Sequence, residues 1–120
     1  MYLSDELDWI VDIPESQRLK INGSPIDYAT VPVEYMKGAV ARYLECGIEP
    51  GDFLTAFLCN NLRDAFGLAD LENQRMMCQW VYWFSNYTPW ECWGGKTAMR
   101  NWIERRRCAR EHLEYLASQK

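Results

Sequence analysis

Cys108 and His112 come nearest to a reactive pair in type and spacing. Four residues apart in a helical stretch, they would share one face. Two zinc ligands can stand that way, and so can a thiol and its base. Neither chemistry is completed elsewhere. A zinc site needs more ligands than one pair provides. Cys46, Cys59, Cys78 and Cys92 are widely spread, and no C-x-x-C occurs. A cysteine nucleophile needs an oriented base and donors for an oxyanion. His112 is the only histidine, and no motif supplies the donors. Gly94-Gly95 ahead of a helix is only a faint likeness of a phosphate loop, although helix N-termini do bind anions. The expectation is a protein that is not an enzyme, with no metal and no cofactor.

The remaining chemistry is that of binding. Asn60, Asn61, Asp64, Asp70 and Asn73 form one polar set. Asn60 and Asp64 are four apart, so on one helix they share a side, away from Phe53, Phe57 and Leu58. That side could hydrogen-bond a ligand. The commoner role of such residues is capping, with Asp70 opening the next helix and Asn61 or Asp64 tying the turn. A second set is Lys96, Arg100, Arg105, Arg106, Arg107 and Arg110. Basic helices can grip phosphates, and Arg100 and Arg107 are the candidates for that. Glu104, Glu111 and Glu114 are interleaved, which favours a salt-bridged, solvated helix. Arg106 and Arg110 fall near the apolar stripe and are expected to pair across the fold.

The third set is aromatic. Trp80, Trp83, Trp90, Trp93 and Trp102 lie within 23 residues, around the stretch NYTPWECWGG. Periodicity turns Trp80 and Trp102 to the core and puts Trp83 at the edge of that face, where it joins Trp90 as a candidate for recognition. Trp90 and Trp93 form either a lid or an exposed recognition surface, since Trp is enriched at interaction hot spots. Trp93, before Gly94-Gly95, should fold back onto the helices. Trp90, after Pro89, should point outward. Cys92 between them is expected to be the most exposed cysteine.

The elements that must position these residues are helices. Val33, Met36, Val40, Tyr43 and Leu44 recur at helical spacing after a cap at Thr30, and Gly47 stops that helix. FLTAFLCNNLRDAFG reads as the next helix, with Phe53, Leu54, Phe57, Leu58, Leu62, Ala65 and Phe66 on its apolar face. LENQRMMCQWVYWFSNY, capped by Asp70, is a third, with Met77, Trp80, Val81 and Phe84 inward. AMRNWIERRRCAREHLEYLAS is a fourth. The fold class expected is all-α: a compact bundle of four main helices over residues 32–120, behind an arm at residues 1–31. The arm is irregular, with a short helix in SDELDWIVDIP and a hairpin possible at Asn22-Gly23.

Bulk composition agrees with one domain. The chain has 120 residues, 48% apolar and 14% aromatic, enough for a core without staples. Its net charge of −4 is uneven, with ten acids against four bases up to residue 60 and seven against nine after it. The apolar runs are too short for a membrane span. The acidic start MYLSDELDW has no signal-peptide pattern. Five cysteines with wide spacing read as reduced thiols in a cytoplasmic protein.

The stretch YLECGIEPGDFLTAFLCNNLRDAFGLADLEN, Tyr43 to Asn73, resembles a group of small proteins encoded by phages and prophages. The shared features are Tyr43, the turn Gly47 to Gly51, Phe53 to Ala56, Asn60-Asn61, Ala69-Asp70 and Asn73, followed by Trp93-Gly94 and Trp102. The resemblance covers about half the chain and implies an origin, not a chemistry. It leads to an expected role as a phage accessory protein in the host cell cytoplasm. That protein would act by stoichiometric binding to a host or defence-system protein. Two alternatives stand beside it. One is a nucleotide-signal sponge, in which tryptophans stack a base and Arg100 takes a phosphate, in a homo-oligomer. The other is a nucleic-acid binder using the arginine-rich last helix.

Overall fold

A computed structural model describes residues 7–119. Seven α-helices occur among them: α1 Lys37–Cys46, α2 Asp52–Leu58, α3 Leu62–Leu68, α4 Leu71–Arg75, α5 Met77–Tyr87, α6 Lys96–Arg105 and α7 Arg107–Ser118. About 70% of the structure is helical and 4% is strand. The radius of gyration is 14.0 Å, close to the ~14 Å expected of a domain this long. No described helix is long and apolar enough to cross a membrane.

The expected long helices appear in pieces, and each break has a local cause. At Asn60-Asn61 the break is complete. Asn60 takes a left-handed conformation (φ 62°), and the Asn61 N–H reaches back to the Ala56 carbonyl at 2.9 Å. That is a Schellman-type ending for α2. The Asn61 side chain then accepts from the Asp64 N–H and caps α3. Leu62 and Phe66, expected in the core, are therefore turned to solvent. At Met76 and at Arg106 the breaks are kinks. Backbone bonds Trp80 N–H to Met76 O and Arg110 N–H to Arg106 O carry the helical path through. Val81, also expected inside, lies on the outer side of α5. The first helix starts later than expected: a 3-10 turn over Glu34–Met36 leads into α1, and Thr30 lies in an earlier turn, Tyr28–Thr30.

The arm is wound from short turns. A 3-10 turn over Asp8–Asp12 takes the place of the expected helix, whose first residues lie outside the described ones. The hairpin is present: β1 Lys20–Ile21 pairs antiparallel with β2 Ser24–Pro25. Asn22 and Gly23 both have positive φ, as a type I′ turn requires. The arm also adds Trp9, Ile13, Ile26, Tyr28 and Val31 to the buried core.

A buried polar joint ties the arm to the helices. Glu45 of α1 is almost fully buried. It accepts from the Tyr28 hydroxyl and from the Leu19 N–H at 3.3 Å. Arg106, at the α6–α7 kink, lies 3.9 Å from the Glu45 carboxylate and donates to the backbone carbonyls of Glu45 (2.8 Å) and Gln17. Burial raises the Glu45 pKa, opposed by Tyr28, Leu19 and Arg106. Gly47 lets the kink approach α1, because a Cβ there would lie 2.6 Å from the Ile103 carbonyl oxygen.

Candidate functional site

The α5–α6 connection carries the candidate site, and it is held from both sides. Thr88 donates to the Phe84 carbonyl at 2.7 Å and ends α5. A 3-10 turn, Trp90–Cys92, follows Pro89. Its last residue is anchored, since the Tyr43 hydroxyl donates to the Cys92 carbonyl at 2.6 Å in the interior. Beyond it, the N–H groups of Gly94 and Gly95 both donate to the Leu58 carbonyl, at 2.9 and 3.1 Å. Gly94 makes this approach at φ 110°, a conformation that favours glycine. The Glu91 carboxylate pairs with Arg105 at 3.1 Å.

Within this fixed loop the two tryptophans separate as the sequence predicts. Trp93 lies flat on Phe57, with ring centroids 5.3 Å apart and planes 1° from parallel. It closes one side of an aromatic cluster with Trp80 and Phe84. Trp90 is 81% exposed, more than any other large apolar side chain among the described residues. Cys92 reverses its expectation. It is fully buried, its Sγ donates to Thr88 Oγ1 at 3.4 Å, and burial pushes its thiol pKa up to about 12. The exposed cysteines are Cys78 and Cys108.

Trp83 also differs from its expected place. It is buried, not at the edge, and its indole N–H donates to Thr30 Oγ1 of the arm at 2.8 Å. Every fully buried tryptophan of the helices has such a partner: Trp80 donates to Asn73 Oδ1 and Trp102 to the Leu44 carbonyl. One edge of Trp83 reaches an open trough of about 360 Å3 between α5 and the arm, shared with Tyr82 and Tyr87.

The polar candidates fall into structural roles. Asn60 and Asp64 do not share a helix, because the break between α2 and α3 intervenes. Asp64 bonds to Asn61 and belongs to the cap. Asp70 caps α4 through the Asn73 N–H, and the Tyr35 hydroxyl with this N–H bond holds its carboxyl below the usual range. Asn60 borders a cavity of about 60 Å3 beside Trp93, room for a few waters but too small for a nucleotide. Arg107 is taken up by Glu104 (2.7 Å) and Glu111 (3.4 Å) on its own helical face. Arg110 donates to the Gly47 carbonyl at 3.1 Å and pairs with Glu114. Arg100 is exposed and has no ion pair among the described residues. Trp83, Trp90, Arg100, Arg107, Asn60 and Asp64 line no common cavity among those described.

Cys108 is exposed and His112 half-buried, and no group of three metal-ligating side chains occurs among the described residues. Sequence reasoning missed Tyr82 and Tyr87, both solvent-facing on α5. Their five-residue spacing falls outside the apolar stripe, and that was the available signal. No family model, curated protein or solved structure matches the chain.

Proposed function

We propose that this protein works by stoichiometric binding to another protein, with Trp90 as the anchor of the contact. The observation that carries the reading is a tryptophan 81% exposed on a turn whose flanks are fixed by buried hydrogen bonds and a stacked ring. An exposed indole in a mobile loop would lose much of its binding energy to ordering. Held in place, it enters a partner's pocket with little further entropy loss. Burying one such ring can supply several kcal/mol, as hot-spot tryptophans do. The nearby Glu91–Arg105 pair gives the anchor a polar rim.

The resemblance of Tyr43 to Asn73 to phage and prophage proteins supports a more specific form. In that form the protein is a phage accessory factor in the cytoplasm of the infected cell, and its target is a host or defence-system protein. The test is capture from host lysate with the tagged protein and with Trp90→Ala, beside the melting temperature of each. The reading expects a partner at near-equal stoichiometry with the parent and none with a fully folded Trp90→Ala. Equal capture by both proteins would refute the anchor.

A further inference from the structure

We propose that the trough between α5 and the arm turn at residues 30–32 binds a proline-rich segment of the partner, in polyproline II conformation. The inference rests on the reading of this chain as a protein-binding one and names what its second contact recognises. The trough has a volume of about 360 Å3 and is faced by Tyr82, Tyr87, the edge of Trp83, Gln79 and Pro32. It is already formed. Trp83 stacks on Tyr87 (centroids 6.2 Å apart, planes at 15°), Tyr82 meets Tyr87 edge-on, and the Trp83–Thr30 hydrogen bond pins the two walls together.

The occupant follows from what the lining offers among the ways proteins hold peptides. No charged side chain lines the trough, although a quarter of the chain is charged. Phosphorylated, acidic and basic segments therefore find no counter-charge there, while an uncharged proline-rich one leaves no ion stranded. The arm turn at residues 30–32 offers the trough no free strand edge. The Thr30 and Val31 N–H groups are spent on Asp27 and Tyr28, and Pro32 has none. A small molecule would stay half in water, since Tyr82 on the wall is 62% exposed, whereas ligand pockets enclose most of their ligand. What the trough does offer is ring faces, plus donors without work. The Tyr82 and Tyr87 hydroxyls and the Gln79 amide make no hydrogen bond among the described residues. A polyproline II strand has flat apolar rings and solvated carbonyls that lack donors, and it loses little entropy on docking.

Trp90 follows the trough closely along the chain. Tyr87 and Trp90 are three residues apart, at most about 11 Å of chain. A polyproline II segment advances about 3.1 Å per residue, so roughly four residues span the gap. One partner can then engage both features.

The experiment titrates 15N-labelled full-length protein with a proline decamer, a glycine-serine decamer and adenosine, following the indole N–H signals. The proline decamer should bind saturably and shift the Trp83 signal, and the glycine-serine decamer should not. Tyr82→Ala, at an exposed position, should keep the melting temperature and weaken proline binding at least tenfold. Tyr82→Phe, which keeps the ring, should lose less. No saturable proline binding overturns the proposal, as does equal binding of the glycine-serine decamer. It is also overturned if adenosine shifts Trp83 and proline does not, or if Tyr82→Ala keeps full affinity. Trp90→Ala should still bind the proline decamer. If the trough fails while Trp90→Ala abolishes partner capture, the anchor reading stands alone. If proline binds and Trp90→Ala captures the partner normally, the anchor reading fails and the trough remains.

Discussion

Glu45 and Trp90 place opposite groups on the wrong side of the water boundary. At Glu45 a carboxylate is taken inside, and Tyr28, Leu19 and Arg106 converge on it. Of the buried side-chain polar atoms described, only Gln17 Oε1 lacks a partner. At Trp90 a large apolar ring is left outside, while the residues around it are bonded or stacked. The first arrangement joins arm, α1 and the α6–α7 kink into one body. The second puts an exposed ring on a loop whose neighbouring backbone is held by hydrogen bonds. Buried polar groups demand partners because an unpaired one is expensive. An exposed ring demands nothing locally, and the proposed contact with a partner is what would give it a use.

The largest effect should come from breaking the joint. Arg106→Ala removes the donors to the Glu45 and Gln17 carbonyls and leaves the buried Glu45 carboxylate without the Arg106 guanidinium beside it. Removing one partner of a buried pair costs about 3–5 kcal/mol. Urea unfolding should show a loss of that order, with proteolysis of the arm before the helices. A loss under about 1 kcal/mol would mean that the joint does not hold the arm and that the comparison is misdrawn. Arg106→Lys should recover little, because an ammonium cannot make the same forked contacts.

Trp93→Ala comes next and tests the loop's inner half. The ring is half-buried and stacked on Phe57. Fully buried aromatics lose about 3–5 kcal/mol on truncation, so about 2 kcal/mol is expected for Trp93 by thermal or urea unfolding. A change near zero would make Trp93 a second presented ring and blur the division between it and Trp90.

How much of this was readable beforehand depends on the kind of signal. Helical periodicity placed Tyr43, Leu44, Leu54, Phe57, Trp80 and Trp102 inside correctly. The Gly94-Gly95 and Pro89 contexts separated Trp93 from Trp90. Periodicity failed at Leu62 and Phe66 because it assumes an unbroken helix, and at Val81 because the buried face of α5 runs through Met77, Trp80, Trp83 and Phe84. Asn60-Asn61 ends one helix and starts another, using two properties of one residue type: tolerance of the left-handed region and capping by the side chain. Trp83 departs from its expected place because its partner, Thr30, is 53 residues away. Cys92 departs from its expected place because a loop position need not be an exposed one, and the Tyr43 bond that draws it inward is equally non-local. The Glu45–Arg106 joint left only a trace, the position of Arg106 beside an apolar stripe.

A smaller effect sharpens the Glu45 side. Burial raises its pKa above the ordinary 4.5, against the pull of Tyr28, Leu19 and Arg106. A carboxyl with a raised folded pKa binds more protons folded than unfolded. Its contribution is therefore greatest below the ordinary pKa and is lost as pH rises through the folded value. Glu45→Gln cannot titrate. The stability of the parent relative to Glu45→Gln should fall as pH rises from about 4.5 through the raised pKa, measured by urea unfolding at matched ionic strength. A relative stability that grows with pH would show that attraction to Arg106 outweighs burial, and the joint would then behave as an ion pair.

The smallest effect on stability belongs to Trp90→Ala, and it decides the other half of the comparison. The ring is 81% exposed, so truncating it removes little buried area. Neighbouring bonds, Tyr43 to Cys92 and Gly94 and Gly95 to Leu58, involve none of its side-chain atoms. Surface substitutions of this kind stay within about 0.5 kcal/mol, so the melting temperature should match that of the parent within about 2–4 °C. Partner capture should nonetheless be lost, because a hot-spot ring can carry more than about 2 kcal/mol of an interface. A stability loss as large as that of Trp93→Ala would mean that Trp90 packs against the fold in solution. The loop would then be a lid on both sides, and the contrast with Glu45 would reduce to two ways of closing one core.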